Sequence, residues 1–122
     1  MFDLIYGISI FTHFDEDYQF AWLKEMRRIA KADSILLFTI RDEFKLSCLN
    51  ENHRNSIEKE FSKSGFCCFE TPVWKDTFPD FYKGTWHSRD YIYREWSKYF
   101  EIIDYLPGVA WCQQTIVLLR KR

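Results

Sequence analysis

The stretch FDLIYGISIFTHFDEDYQFAWLKEMRRIAKADSILLFTI, residues 2–40, decides the fold. Its first ten residues (2–11, FDLIYGISIF) are an almost unbroken apolar run with β-branched and aromatic side chains. Such a run suits a strand buried on both faces, as in a parallel sheet. Asp15 is placed to cap the helix that follows, with Glu16 and Asp17 in its positive first turn. Apolar residues then recur with helical spacing at Trp22, Leu23, Met26, Ile29 and Ala30. Lys24, Arg27, Arg28 and Lys31 put positive charge toward the negative end and read as a solvated face. A short turn at Ala32-Asp33 leads into residues 34–40 (SILLFTI), a second buried strand. Strand, helix of about four turns and strand form a βαβ unit with a right-handed crossover.

Outward from this unit the pattern loosens. Residues 42–55 are polar and mixed, whereas 56–64 (SIEKEFSKS) carry Ile57 and Phe61 at i, i+4 and read as a helix ending at Gly65. Residues 66–70 suit a short strand stopped by Pro72. The aromatic-rich 73–87 (VWKDTFPDFYKGTWH), broken by Pro79 and Gly84, reads as a long ordered loop or lid. Ser88 can cap a helix over 89–99 whose face is Ile92, Trp96, Tyr99 and Phe100. Residues 100–106 (FEIIDYL) and 114–119 (QTIVLL) read as an antiparallel hairpin. The expected architecture is α/β and one domain: a βαβ unit over 1–42, a variable helix and aromatic lid over 43–87, and a helix and β-hairpin over 88–122.

Composition narrows the functional classes. The 122 residues give one domain, and 17 basic against 18 acidic side chains leave a charge of −1, with no basic footprint for nucleic acid. Aromatic residues reach 20%, enough for a packed core. No apolar run approaches the roughly 20 residues of a membrane helix, and the start shows no signal-peptide pattern. The four cysteines, Cys48, Cys67, Cys68 and Cys112, follow no disulfide or zinc spacing and read as reduced thiols in a cytoplasmic protein. The glycines, Gly7, Gly65, Gly84 and Gly108, are scattered, which excludes glycine-cluster motifs for phosphates or dinucleotides. A metal site from His13, Asp15 and His53 has no supporting spacing, and no metal is expected.

Ligands of open parallel sheets bind beyond the carboxyl ends of the strands. Here those ends are residues 9–13 and 39–42, which makes Ser9, Thr12, His13 and Arg41 the best-placed polar residues, with His87 at the end of the aromatic segment as a further candidate. His13 suits a general base, or equally a hydrogen bond to a loop carbonyl. His87, next to the cap at Ser88, suits a structural role in the turn as well as that of a base. Trp74, Phe78, Phe81, Tyr82 and Trp86 form either a satellite core or a cover for an apolar or cationic ligand.

The ordered set FDLIYGISIFTHF, FAWLKEMRRIAK, SILLFTI, then FYKGTWHSRDYIYREWSKYFEIIDYLPG and QQTIVLLRKR resembles class I S-adenosylmethionine-dependent methyltransferases from the fourth strand onward. The likeness covers nearly the whole chain, more loosely over residues 45–72. It implies a partial Rossmann-like fold. Ser9, Ile10, Phe11 and His13 then match the loop after strand four, against cofactor and acceptor. Thr39 and Arg41 match the rim of strand five, and Phe81, Tyr82, Trp86 and His87 match the aromatic segment over the acceptor. The glycine-rich loop and the acidic ribose-binding residue of the family precede the fourth strand and have no counterpart here. The turn that is commonly Pro-Gly-Gly is Ala32-Asp33, and Gln114 stands where many relatives have Asp. The resemblance therefore implies an acceptor-side half that binds S-adenosylmethionine and a small-molecule acceptor only with a complementing amino-terminal half. The contrasting expectation is a non-catalytic module that associates, for instance as a homodimer, through the flank of its first strand.

Overall fold

The computed structural model describes residues 1–70, 77 and 83–122. A four-stranded mixed sheet forms the centre, built from β1 (Phe2–Gly7), β2 (Ala30–Ile40), β5 (Glu101–Leu106) and β6 (Thr115–Arg120) in the order β1-β2-β6-β5. β1 runs parallel to β2, and β6 lies antiparallel between β2 and β5. α1 (Glu16–Ile29) makes the crossover from β1 to β2. Asp15 caps it by accepting from the Tyr18 amide at 2.8 Å. α2 (Glu43–Leu46) and α3 (Glu51–Lys63) fill the segment that looks irregular in sequence, each begun by a cap, Asp42 and Asn50. β3 (Phe66–Phe69) and β4 (Gly84–His87) pair antiparallel as a separate small sheet, and α4 (Arg89–Glu95) follows under the Ser88 cap.

One face of the large sheet carries the core. Leu36, Phe38 and Ile40 of β2 and Val117 and Leu119 of β6 are buried there against Leu23 of α1 and Ile92, Trp96 and Phe100 at the carboxyl side. A second cluster of Leu46, Ile57, Cys67 and Trp86 joins α2, α3 and the small sheet. α1 is rotated from the face its spacing suggests: Leu23 and Met26 point inward, but so does Gln19, while Trp22 is exposed and stacks on Phe14 at 5.8 Å.

The first strand departs most from its sequence reading. It stops at Gly7 and is an edge strand, and Leu4 and Tyr6 are 59% and 68% exposed. The register places them on the sheet face opposite the core, beside Ile35, Leu37, Leu118 and Ile116, which are only partly buried. This face is largely apolar over β1 and β2 and turns charged at the end of β6 and the start of β5, where Arg120 meets Glu101 at 3.9 Å. A strand that is apolar at nearly every position does not reveal which of its faces is covered, and here the face carrying Leu4 and Tyr6 is exposed. The expected turn at Ala32-Asp33 lies inside β2 as an irregularity, where Asp33 takes a left-handed φ of 65° and donates its amide to Lys121 O at 2.8 Å. Asp is among the few residues that accept this conformation in place of glycine. No helix among the described residues is long and apolar enough to cross a membrane.

Candidate functional site

The carboxyl ends of β1 and β2 meet the beginning of β6, and three polar side chains lock together there. Beyond β1 the chain turns sharply, with Ser9 at φ 59°. The Ser9 amide donates to Thr39 Oγ1 at 2.8 Å, Thr39 Oγ1 donates to Gln114 Oε1 at 2.6 Å, and Gln114 Nε2 donates to Ser9 Oγ at 2.9 Å. This closed cycle satisfies a buried hydroxyl and amide that would otherwise be costly. It also fixes the left-handed turn at Ser9. Residues 105 positions apart in sequence make it, so only Ser9 and Thr39 are suggested by their place at strand ends.

The second group surrounds Arg41. Its guanidinium donates to Thr12 O at 2.9 Å, lies 3.5 Å from His13 Nδ1 and sits over the Trp86 ring, 5.7 Å from the centroid. His13 Nδ1 is 2.8 Å from Lys83 O. A carbonyl only accepts, so Nδ1 carries the proton and Nε2 is the basic nitrogen. Partial burial, reinforced by the Arg41 charge and opposed by the Lys83 carbonyl, holds the His13 pKa below its ordinary value. That direction favours the neutral imidazole. Of the two sequence readings, the bond from the ring to a loop carbonyl is present, made by Nδ1 to Lys83 O.

Other candidates lie elsewhere. Phe11, 2% exposed, is turned into the main core, 4.7 Å from Phe38 and 5.1 Å from Trp96 between ring centroids. Its side chain is not on the surface that a cofactor would touch, whereas Ile10 is exposed. Trp86, 2% exposed, packs in the second core and offers only its contact with Arg41 to the strand-end group. His87 belongs to β4 and not to a loop, and its ring is fully buried. Its Nε2 lies 2.5 Å from Gln19 Oε1, and burial together with the Arg41 charge pushes its pKa down to about 3. A ring so enclosed serves packing and hydrogen bonding, and no substrate reaches it. Phe81 and Tyr82, with Trp74 and Phe78, lie outside the described residues. Asp42, at the end of β2, is occupied by the Phe44 amide at 3.0 Å and by the Tyr105 hydroxyl.

Sequence reasoning missed Gln19. It is wholly buried in α1 and ties three elements: its Oε1 accepts from Trp96 Nε1 at 2.9 Å as well as from His87, and its Nε2 donates to the Tyr91 hydroxyl at 2.9 Å. Nothing in the local pattern distinguishes it from a solvated helix residue. Among the described residues no group of three or more His, Cys, Asp or Glu side chains is placed to hold a metal ion.

No family model, curated protein or solved structure matches the chain.

Proposed function

We propose that this chain is the acceptor-side half of an S-adenosylmethionine-dependent methyltransferase acting on a small molecule. The observation that carries the reading is a sheet that stops short. Its βαβ unit brings its strand ends together as in an open α/β site, yet among the described residues no strand pairs with the outer edge of β1, and Leu4 and Tyr6 on one apolar face are exposed. A complementing amino-terminal half that adds a strand beside β1 and a layer over that face would bury both. The hairpin β5–β6, docked against β2, agrees with the resemblance to the family's carboxyl-terminal half.

S-adenosylmethionine supplies, when bound, an electrophilic methyl group on a sulfonium. The described residues fit only one wall of such a site. Ser9 and Ile10 contribute that wall, and Phe11 supports it from the core behind. Thr39 positions Ser9, and Arg41 and His13 face the acceptor side. His13 Nε2 removes a proton from an oxygen or nitrogen acceptor, and Arg41 disfavours a charged imidazole in the resting state. Positioning and exclusion of water contribute most of the rate in such a displacement. A cytoplasmic location belongs to the same proposal and agrees with four free thiols.

Calorimetry with S-adenosylmethionine, with and without an added amino-terminal half, tests the reading. Binding is expected only when both halves are present, and no heat in either mixture overturns it. In the reconstituted enzyme His13→Ala should lower turnover; unchanged turnover removes His13 as the base.

The same open strand favours a second reading, a non-catalytic module that assembles as a homodimer through β1. Monomeric proteins rarely leave apolar patches beyond a few hundred Å² uncovered. Sedimentation without cofactor separates the two: a stable dimer that ignores S-adenosylmethionine supports the module, and a monomer that binds it with the added half supports the enzyme.

A further inference from the structure

We propose that Cys48 and Cys112 are a modification site, forming a reversible intramolecular disulfide on exposure to a peroxide. Both thiols are free and exposed. They lie in two segments that dock on each other although remote in sequence. Cys48 follows α2, and Cys112 lies in the 3₁₀ turn Trp111–Gln113 that precedes β6. Three contacts join the segments. The Phe44 ring lies against Gly108, Lys45 Nζ donates to Cys112 O at 2.7 Å, and the Cys48 thiol donates to Gln113 Oε1. The Cys48 sulfur thus already touches the residue next to Cys112.

A disulfide requires the two Cα atoms within about 7 Å of each other, and the turn carries the backbone that would adjust to reach that range. Cys112 and Gln113 are consecutive non-glycine residues in the left-handed region, at φ 56° and 59°. That backbone is strained, and the turn is closed by local bonds between residues 110 and 114, such as Gln113 N–H to Ala110 O at 3.1 Å. The other two cysteines provide a contrast. Cys67 is buried, and burial with the nearby Glu60 and Cys68 pushes its thiol up to about 11; Cys68 is raised in the same direction, chiefly by burial. Thiolate is the reactive form, so an oxidant spares this pair.

The chemistry balances in two steps. One thiolate attacks hydrogen peroxide and breaks its O–O bond, giving a sulfenic acid and hydroxide, which takes up the proton that the thiol released and leaves as water. The second thiol then displaces the sulfenic oxygen as a second water and closes the S–S bond. The product pins the turn that ends at Gln114, the residue that holds Ser9 and Thr39.

The test is hydrogen peroxide treatment of the whole chain at low protein concentration, then alkylation and peptide mapping. The expected result is a monomer lighter by two hydrogens, with two of its four thiols lost and a linked Cys48–Cys112 peptide that thiol reductants release. Cys48→Ser and Cys112→Ser, both at exposed positions, should each abolish the cross-link. Four unchanged thiols, linkage through Cys67 or Cys68, disulfide-linked dimers, or sulfinic and sulfonic acids without a cross-link would overturn the proposal.

Discussion

Replacing Gln19 by Leu removes a buried polar side chain that connects α1 to Trp96, to Tyr91 of α4 and to His87 of the small sheet. The tryptophan N–H can only donate, so its 2.9 Å bond fixes the Gln19 oxygen toward Trp96. The same oxygen faces His87, which therefore carries its proton on Nε2. Leu leaves two buried donors, Trp96 Nε1 and His87 Nε2, without an acceptor, at about 1–3 kcal/mol each. The Tyr91 hydroxyl loses a donor but keeps its bond to Glu16 Oε2 at 2.6 Å, so its loss is small. The apolar side chain of Leu recovers about 1 kcal/mol by burial. The net destabilisation is therefore about 3 kcal/mol, with 1 and 5 kcal/mol as the rough bounds. Equilibrium urea unfolding should show a midpoint lower by about 1–2 M at unchanged slope, and thermal unfolding a Tm lower by about 12 °C. A double-mutant cycle with Tyr91→Phe should show coupling well below the total, because the main loss is at Trp96 and His87. A Gln19→Leu protein within about 0.5 kcal/mol of the parent would refute this account of the network.

Two further outcomes follow from the core and its caps. His87 has a folded pKa of about 3, below its ordinary 6.5, so the folded state binds its proton less readily than the unfolded chain. Its contribution is fully present above pH 6.5 and falls by about 1.4 kcal/mol per pH unit on acidification toward pH 3. Urea midpoints between pH 6 and 4 should fall less steeply in His87→Gln than in the parent, by about one proton's slope, and equal slopes would discount His87 as an acid-labile group. Gly65 ends α3 at φ 82°, and a Cβ there would lie 2.5 Å from Ser88 Oγ and 2.9 Å from Tyr91 Cβ. Gly65→Ala therefore adds left-handed strain and displaces the α4 cap, and should cost about 2–4 kcal/mol in denaturant unfolding. A loss under 0.5 kcal/mol would contradict the packing of that turn.

The sequence by itself determined the local events of this fold: the βαβ unit, the caps at Asp15 and Ser88, the helix end at Gly65 and the closing hairpin. Each is written in neighbouring residues, because hydrogen-bonded caps, helical spacing and left-handed turns act over only a few positions. The strand-end positions of the candidate residues were legible to the same extent. Ser9, Thr39, His13 and Arg41 stand at strand ends, and strand ends can be located from apolar runs. Only the tertiary structure decided which face of β1 stays open, since a continuous apolar run carries no alternation to distinguish one face from the other. It also inserted β6 between β2 and β5, turned Phe11 and Trp86 into two separate cores, and enclosed His87. The cycle through Gln114 and the network through Gln19 depend on partners from distant segments, and a glutamine in an amphipathic helix carries no local mark of burial. Those contacts arise when the layers pack, where an unpaired buried polar group is too costly to leave.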